Sequence, residues 1–255
     1  MHYVALLSVR RSSSFIIISA RMRLRVFLVE KQLESVLMIV GVYTENGPVQ
    51  GVYHISLERP DSVSTIDSTP AWVGRGAAAC VMGNTLYAVG IGRACNELWK
   101  WNAASDWTRC ADMTSYRRWH CAAVVDSTLY ALGGWATGGR TLSNVEAYNT
   151  QTDKWSAAGQ LMHAVHYAAS VSCNNSIYMF GGEDANDKVV AHVQVYDAAQ
   201  HKCTLLHNAM PQAYGCMKAV VWKTNAILLD SFMCFIYNFE TRDLAGESVI
   251  QNKCV

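Results

Sequence analysis

Four apolar strings with glycine at or near their end recur along this 255-residue chain at nearly even spacing: LMIVGV at 37–42, LYAVGI at 86–91, LYALGG at 129–134 and IYMFGG at 177–182. A fifth, eroded copy, ILLDSF, starts at Ile227. The period is about 48 residues, within the range of repeat architectures. Two further columns keep step with the strings. Tyr53, Trp101, Tyr148 and Tyr196 follow one another at that period, while Trp107 and Trp155 stand one period apart and Cys203 fills the next place. Three columns in phase exclude chance alternation. They describe an array of small units, each unable to hide its apolar faces without a neighbour.

Inside one unit the apolar residues alternate with period two and are rich in strand formers, and Asp126-Ser127 and 149–153 supply turn chemistry between them. The third copy therefore reads as four short strands at 120–125, 129–134, 143–148 and around 154–157. A four-stranded antiparallel sheet cannot cover both of its own faces, so such units must stack face to face about an axis. The expected fold is all-β, a β-propeller of four-stranded antiparallel blades. Glycine at the end of the second strand (Gly41, Gly90, Gly133, Gly134, Gly181, Gly182) has a physical task there, because neighbouring blades crowd and only a residue without Cβ permits close backbone approach at positive φ. The large rings Trp101, Trp107, Tyr148, Trp155 and Tyr196 are expected to fill the wedges between blades.

An apolar strand, GlyGly, about a dozen variable residues, a Tyr and then a Trp about six further on: this pattern resembles the kelch repeat. Copies three and four carry it best, as LYALGG with Tyr148 and Trp155 and as IYMFGG with Tyr196. Copies one and two keep one glycine, in Gly41-Val42 and Gly90-Ile91, and copy five keeps none, in Asp230-Ser231. The Trp-Asp dipeptide that closes WD-type repeats is missing, whereas Asp153-Lys154-Trp155 fits kelch. The copies run approximately 37–73, 74–116, 117–163, 164–211 and 212–248 within a propeller domain at 36–255. Kelch-like propellers usually have about six blades, within the range that propellers adopt. The array of about five is therefore expected to be incomplete, as in a partial chain without the BTB domain of that family. Residues 1–35 read as a poorly ordered basic leader, or the remnant of an upstream segment; positions 1–34 hold six Lys/Arg against two Glu.

Composition narrows the function classes. With 21 Lys plus Arg against 20 Asp plus Glu the chain has no global field of the kind that draws nucleic acid, so no nucleic-acid partner is expected. The apolar runs of the leader fall far short of the roughly 18 residues of a membrane span, and Arg21, Arg23 and Arg25 interrupt them. Nine scattered cysteines without a CxxC pair or a secretion signal read as reduced thiols of a cytoplasmic protein. No GxSxG elbow, P-loop or complete GxGxxG occurs. His163 and His166 form an HxxH in a link between copies, where that spacing sets no ligand geometry. Copper radical oxidases share the kelch-type propeller, but their Tyr, His and Cys ligand motifs are not found. No enzyme activity, cofactor or metal is expected.

A protein-interaction surface is the better-supported reading. In a four-stranded blade the links from strand B to C and from D to the next A emerge on one face of the disk. The first class carries Trp135, Thr137 and Arg140 in copy three and Glu183, Asp184, Asn186, Asp187 and Lys188 in copy four, with Thr44, Glu45 and Asn46 in copy one. The second brings Arg117, Arg118, Trp119, His163 and His166. Arg and Trp on rigidly supported loops are enriched in binding hot spots. Partner-binding residues are therefore expected among Arg117, Arg118, Trp119, Trp135, Arg140, His163, His166, Glu183, Asp184 and Asp187, facing a protein substrate or peptide. The resemblance to kelch-like proteins implies the substrate-recognition part of a cullin-RING ubiquitin ligase adaptor. Cullin would be reached only through a BTB domain, for which the segment 1–35 is too short. The alternative is a cytoskeletal scaffold that binds actin or another filament.

Overall fold

The computed structural model describes residues 27–29, 35–44, 47–56, 63–67, 76–102, 105–206, 210–229 and 233–249. The chain divides into two compact units, Met1–Tyr116 and Arg117–Val255. Every described element is a β-strand, and each sheet contains four strands paired antiparallel in chain order. Among the described residues no helix is long and apolar enough to cross a membrane.

The first unit holds two sheets. One contains β1 (Phe27–Val29), β2 (Ser35–Thr44), β3 (Gly47–Ser56) and β4 (Val63–Asp67). The other contains β5 (Ala78–Met82), β6 (Thr85–Ile91), β7 (Glu97–Asn102) and β8 (Ser105–Cys110). β1 lies inside the segment read as a leader, so the first sheet begins at Phe27, ahead of the expected start at 37. A periodicity phased on the second strand of each unit leaves the first unit's opening strand outside it. Around the second sheet, Ala77, Leu86, Ala88, Ile91 and Trp101 are buried together, with half-buried Trp107 against them.

The second unit has three sheets: β9 (Cys121–Val125), β10 (Thr128–Leu132), β11 (Asn144–Asn149) and β12 (Lys154–Gln160); β13 (Ala169–Cys173), β14 (Ser176–Phe180), β15 (Val193–Asp197) and β16 (Lys202–Leu205); β17 (Lys218–Trp222), β18 (Asn225–Leu229), β19 (Met233–Asn238) and β20 (Leu244–Val249). Their first strands lie side by side, β9 by β13 and β13 by β17, as in propeller blades. The apolar faces close on one another. Ala123, Tyr130, Leu132 and Val145 of one blade pack with Ile177, Met179 and Tyr196 of the next. Val171, Tyr178 and Phe180 then pack with Phe235, Tyr237 and Phe239 of the third.

The repeat is written into the backbone as well as the side chains. Trp119, Tyr167 and Cys216, each just before a first strand, share the left-handed conformation with φ of 55°, 57° and 60°. The Tyr167 N–H donates to Trp119 C=O at 3.0 Å and the Cys216 N–H to Tyr167 C=O at 2.9 Å, so successive blades are tied main chain to main chain. The diglycines lie in the same seam. Gly134 and Gly182, at φ of 98° and 100°, donate to Val165 C=O and Tyr214 C=O of the next blade, each at 2.8 Å. A Cβ on Gly133 would stand 2.5 Å from Val165 C=O, and one on Gly134 2.7 Å from His120 Cβ and 2.9 Å from Arg118 C=O.

The tyrosine column does two different jobs. Tyr196 is fully buried and its hydroxyl donates across the blade interface to Ala158 C=O at 2.5 Å. Tyr148 and Trp155 are Cα partners on β11 and β12, with rings 5.3 Å apart, and meet within their own sheet. Cys203 pairs with Tyr196 as Trp155 does with Tyr148, and Leu244 with Tyr237 likewise. The fifth copy thus keeps the tyrosine and the residue seven places on, although its diglycine has gone.

Comparing two alanine substitutions separates backbone conformation from crowding. Gly138, at φ 87°, has open space where a Cβ would stand, so Gly138→Ala carries only conformational strain of about 1–3 kcal/mol. Gly134→Ala adds the clash with His120 and Arg118. In urea denaturation the midpoints should fall in the order wild type, Gly138→Ala, Gly134→Ala; equal midpoints would mean that the seam tolerates a methyl group.

Candidate functional site

Beyond each diglycine, strands B and C of the second unit's first two blades continue as a narrow loop that lies against the incoming D-to-A link. In the first of these blades Trp135 bridges Arg118 on one side and Thr141 on the other; in the next, Glu183 bridges His166 and Val189. Two loop tips close in the same way, with Ala136 N–H donating to Arg140 C=O and Asp184 N–H to Lys188 C=O, both at 2.9 Å. The Asp184 carboxylate braces its own tip by accepting from the Asn186 and Lys188 amides at 2.8 and 3.0 Å. Those amides, Lys188 first, hold its carboxyl below the usual range.

These loops bring most of the expected residues to one seam. Trp119 stacks on Tyr167 with centroids 4.6 Å apart and meets Trp135 edge-on at 5.6 Å. The Arg118 guanidinium lies 4.4 Å from the Trp119 ring, a cation–π contact at an exposed position. His166 is buried beneath, 4.6 Å from Trp135, with Glu183 Oε2 at 3.4 Å and Asp187 Oδ1 at 4.0 Å from its Nε2. The indole N–H groups of Trp119 and Trp135 are shielded and have no hydrogen-bond partner. Arg140 is exposed on its loop. The result is an aromatic floor with Arg118 on one rim and Glu183, Asp184 and Asp187 on the other.

Two expected binding residues stand differently. Arg117 is not on the surface: it is wholly buried, with Nη2 donating to Glu146 Oε1 at 2.5 Å and Nη1 to the carbonyls of Gly133 at 2.9 Å and Asn144 at 3.1 Å. Burial opposes its charge and Glu146 supports it. Because it begins the blade, its side chain runs under the loop rather than out of it, and its role is to hold the loop base. His163 is exposed but stacks on His192 at 4.6 Å, and its backbone N–H and C=O are both bonded to the buried Gln194 amide, at 2.9 and 3.1 Å. His163 and His166 therefore take separate partners and do not act as a chelating pair. The copy-one residues Glu45 and Asn46 lie outside the described residues.

Tyr167, Thr141, Glu146 and His120 escaped the sequence reading. Tyr167 carried a usable signal, since it stands one repeat period after Trp119. Glu146 is a lone acid between apolar Val145 and Ala147, a hint of a buried partner, but nothing local pointed 29 residues back to Arg117. His120 is buried beside Arg117; desolvation first, and then that charge, lower its pKa to about 3.

A family model for the Kelch motif matches residues 117–162, the first blade of the second unit. Kelch-like protein 35 of Mus musculus is 25% identical over 213 residues, covering 82% of this chain and 36% of the relative. Kelch repeat and BTB domain-containing protein 4 of Homo sapiens is 36% identical over 170 residues, covering 62% and 31% respectively. The chain thus spans about a third of the length of these curated relatives. Among solved structures, one titled "Structure of YjhT" superposes with a TM-score of 0.64 at 16% identity, over 72% of this chain and 68% of the other, a likeness of fold.

Two stability measurements test the buried groups. Arg117→Met removes the guanidinium that Glu146 faces and should destabilise by about 3–5 kcal/mol, whereas Arg117→Met with Glu146→Leu should recover most of the loss. Stability should also fall with acidification from pH 6.5 downward, because the unfolded chain protonates His120 near its ordinary pKa of 6.5 while the folded chain resists until about 3. The unfolded state binds more protons in that window, which gives a slope of about 1.4 kcal/mol per pH unit for a single such group. His120→Leu should flatten the dependence between pH 6.5 and 5 by about that slope; an unaltered profile would show His120 to be protonated in the fold.

Proposed function

We propose, from a chain that is a kelch-repeat β-propeller resembling those of kelch-like proteins, that the seam of Trp119, Trp135 and Tyr167, rimmed by Arg118 and by Glu183, Asp184 and Asp187, captures a protein partner, and that this capture is the substrate-recognition step of a cullin-RING ubiquitin ligase adaptor. The observation that carries the reading is the convergence of aromatic rings and opposite charges from two B-to-C loops and two D-to-A links on a rigid support. Large rings supply contact area at small entropic loss, and flanking charges of both signs set orientation and exclude mismatched partners. A peptide with an apolar or aromatic anchor, acidic toward Arg118 and basic toward Asp187, fits that arrangement.

In this reading the repeats supply no catalytic group and the protein works in the cytoplasm. Ligase contact belongs in this reading to a BTB domain, of the kind that a relative named for both kelch repeats and a BTB domain carries. The names of the relatives support the adaptor over the filament scaffold, and the seam itself supports protein capture in either case.

Quantitative affinity enrichment from cells with wild-type chain and with an Arg118→Ala, Trp135→Ala, Asp187→Ala variant tests this directly. The expected outcome is a set of proteins lost on substitution while circular dichroism and the denaturation midpoint confirm folding. Those proteins should become ubiquitinated when the chain is fused behind a BTB–BACK segment. Capture that survives the substitutions would move the site elsewhere; capture without ubiquitination, with actin in the captured set, would favour the scaffold.

A further inference from the structure

Among the described residues, His166, Glu183 and Asp187 are the three metal-capable side chains whose donor atoms all lie within 4.8 Å of one another. The Thr141 hydroxyl reaches both the His166 ring and a neighbouring carbonyl. Thr141 Oγ1 lies 3.3 Å from His166 Nδ1 and its hydroxyl donates to Asp184 C=O at 3.5 Å. When the Thr141 hydroxyl donates to that carbonyl it accepts from Nδ1–H, and in that tautomer Nε2 carries the lone pair. His166 is 1% exposed, and its Nε2 has no hydrogen-bond partner. What it faces is Glu183 Oε2 at 3.4 Å and Asp187 Oδ1 at 4.0 Å, two more electron-pair donors.

In that tautomer three electron-pair donors face one another, an arrangement that a cation in their midst satisfies. A metal ion does so with neutral imidazole as ligand. Two ligands of a tetrahedral ion at bond lengths of about 2.1 Å stand roughly 3.4 Å apart, the separation already present between Nε2 and Glu183. Asp187 Oδ1 must close on Nε2 by about half an ångström, and the three donors, within 4.8 Å of one another, must draw in together; Asp187 is an exposed residue on a loop tip, free to do so. One imidazole and two carboxylates suit zinc and its neighbours better than magnesium or calcium, which favour all-oxygen sets. Asp184 stays outside the set because its carboxylate is engaged by the Asn186 and Lys188 amides.

We propose that His166 Nε2, Glu183 and Asp187 form a binding site for a divalent transition metal of the zinc class, held by three protein ligands and open on its solvent side, where water or a donor group of a docked protein completes the coordination. Trp135, Trp119 and Tyr167, with centroids 4.6, 6.1 and 5.1 Å from the imidazole, hold the ring from turning, and Thr141 meets its Nδ1 at 3.3 Å. The site needs no partner protein to be observed, so it stands or falls apart from the function proposed above.

The test is calorimetric titration of the chelator-stripped full chain with zinc chloride, alongside absorption spectroscopy with cobalt(II). Zinc should bind saturably at one equivalent, and cobalt should give d–d bands without the thiolate charge transfer that the scattered cysteines would produce. Glu183→Gln with Asp187→Asn, both outside the packed core, should abolish binding in a folded chain, as should His166→Gln. Thr141→Val, which loses only the contact with Nδ1, should weaken it by roughly 10- to 100-fold. Absence of saturable binding, binding unchanged by the Glu183 and Asp187 substitutions, a thiolate band at the titrated site, or an imidazolium signal from His166 in the presence of zinc would each overturn the proposal.

Discussion

The second unit is organised by a close approach between the main chain of one blade and the glycine pair that ends the second strand of the blade before it. Gly134 and Gly182 donate to carbonyls of the next blade, and a Cβ at Gly133 would fall 2.5 Å from one of those same oxygens. Hydrogen bonding of this kind satisfies backbone groups that would otherwise be buried without partners where each strand leaves its sheet. It also sets the pitch of the array. With the seam fixed, Trp119, Tyr167 and Cys216 link head to tail through their main chains, and in the unit's first two blades the B-to-C loops rise from matching places.

Above that seam, loop position depends on a charge that never meets solvent. Arg117 joins the carbonyl of Gly133 to the carbonyl of Asn144 and to the Glu146 carboxylate, so it clamps the two ends of the loop that carries Trp135. A guanidinium is suited to this because its planar fork presents several donors in fixed directions. The next blade has no arginine at the matching place, where Val165 stands. There, buried Gln194 braces the preceding link instead through its two bonds to the His163 backbone. Glu146 and Gln194, one repeat period apart, thus do different work: the first holds Arg117 beneath a B-to-C loop, the second holds the main chain of a D-to-A link.

The architecture was legible because its cause is periodic. Glycine and tyrosine recur where the seam and the blade interface demand them, so four strands per unit and the strand positions in the third copy could be read within a few residues of β9 to β12. What escaped reading has no period. Links between strands can be placed from the repeat, yet whether a given side chain rises from them or dives beneath is decided by a partner far along the chain. Arg117 and Arg118 are adjacent and alike in sequence; Glu146, 29 residues on, buries the first, and the Trp119 ring supports the second in the open. The fifth copy was blurred for another reason. Its diglycine, the most visible mark, is lost, while Tyr237 with Leu244 keeps the less visible pairing of β19 with β20.

With the third and fourth copies set in register, one backbone yields two different rims. Arg118 corresponds to His166, Trp135 to Glu183, Gly139 to Asp187 and Arg140 to Lys188. The bridges match as well, Trp135 with Arg118 and Thr141 in one blade, Glu183 with His166 and Val189 in the next. A cationic and aromatic edge in the third copy therefore becomes an imidazole and carboxylate cluster in the fourth without any change in chain path. None of the three proposed ligands has a metal-binding counterpart in the third copy, and Thr141, which meets His166 Nδ1 at 3.3 Å, is contributed by that neighbour. Symmetry places the loops side by side, and the departure from symmetry between them makes a seam with one basic side, one acidic side and a shared aromatic floor.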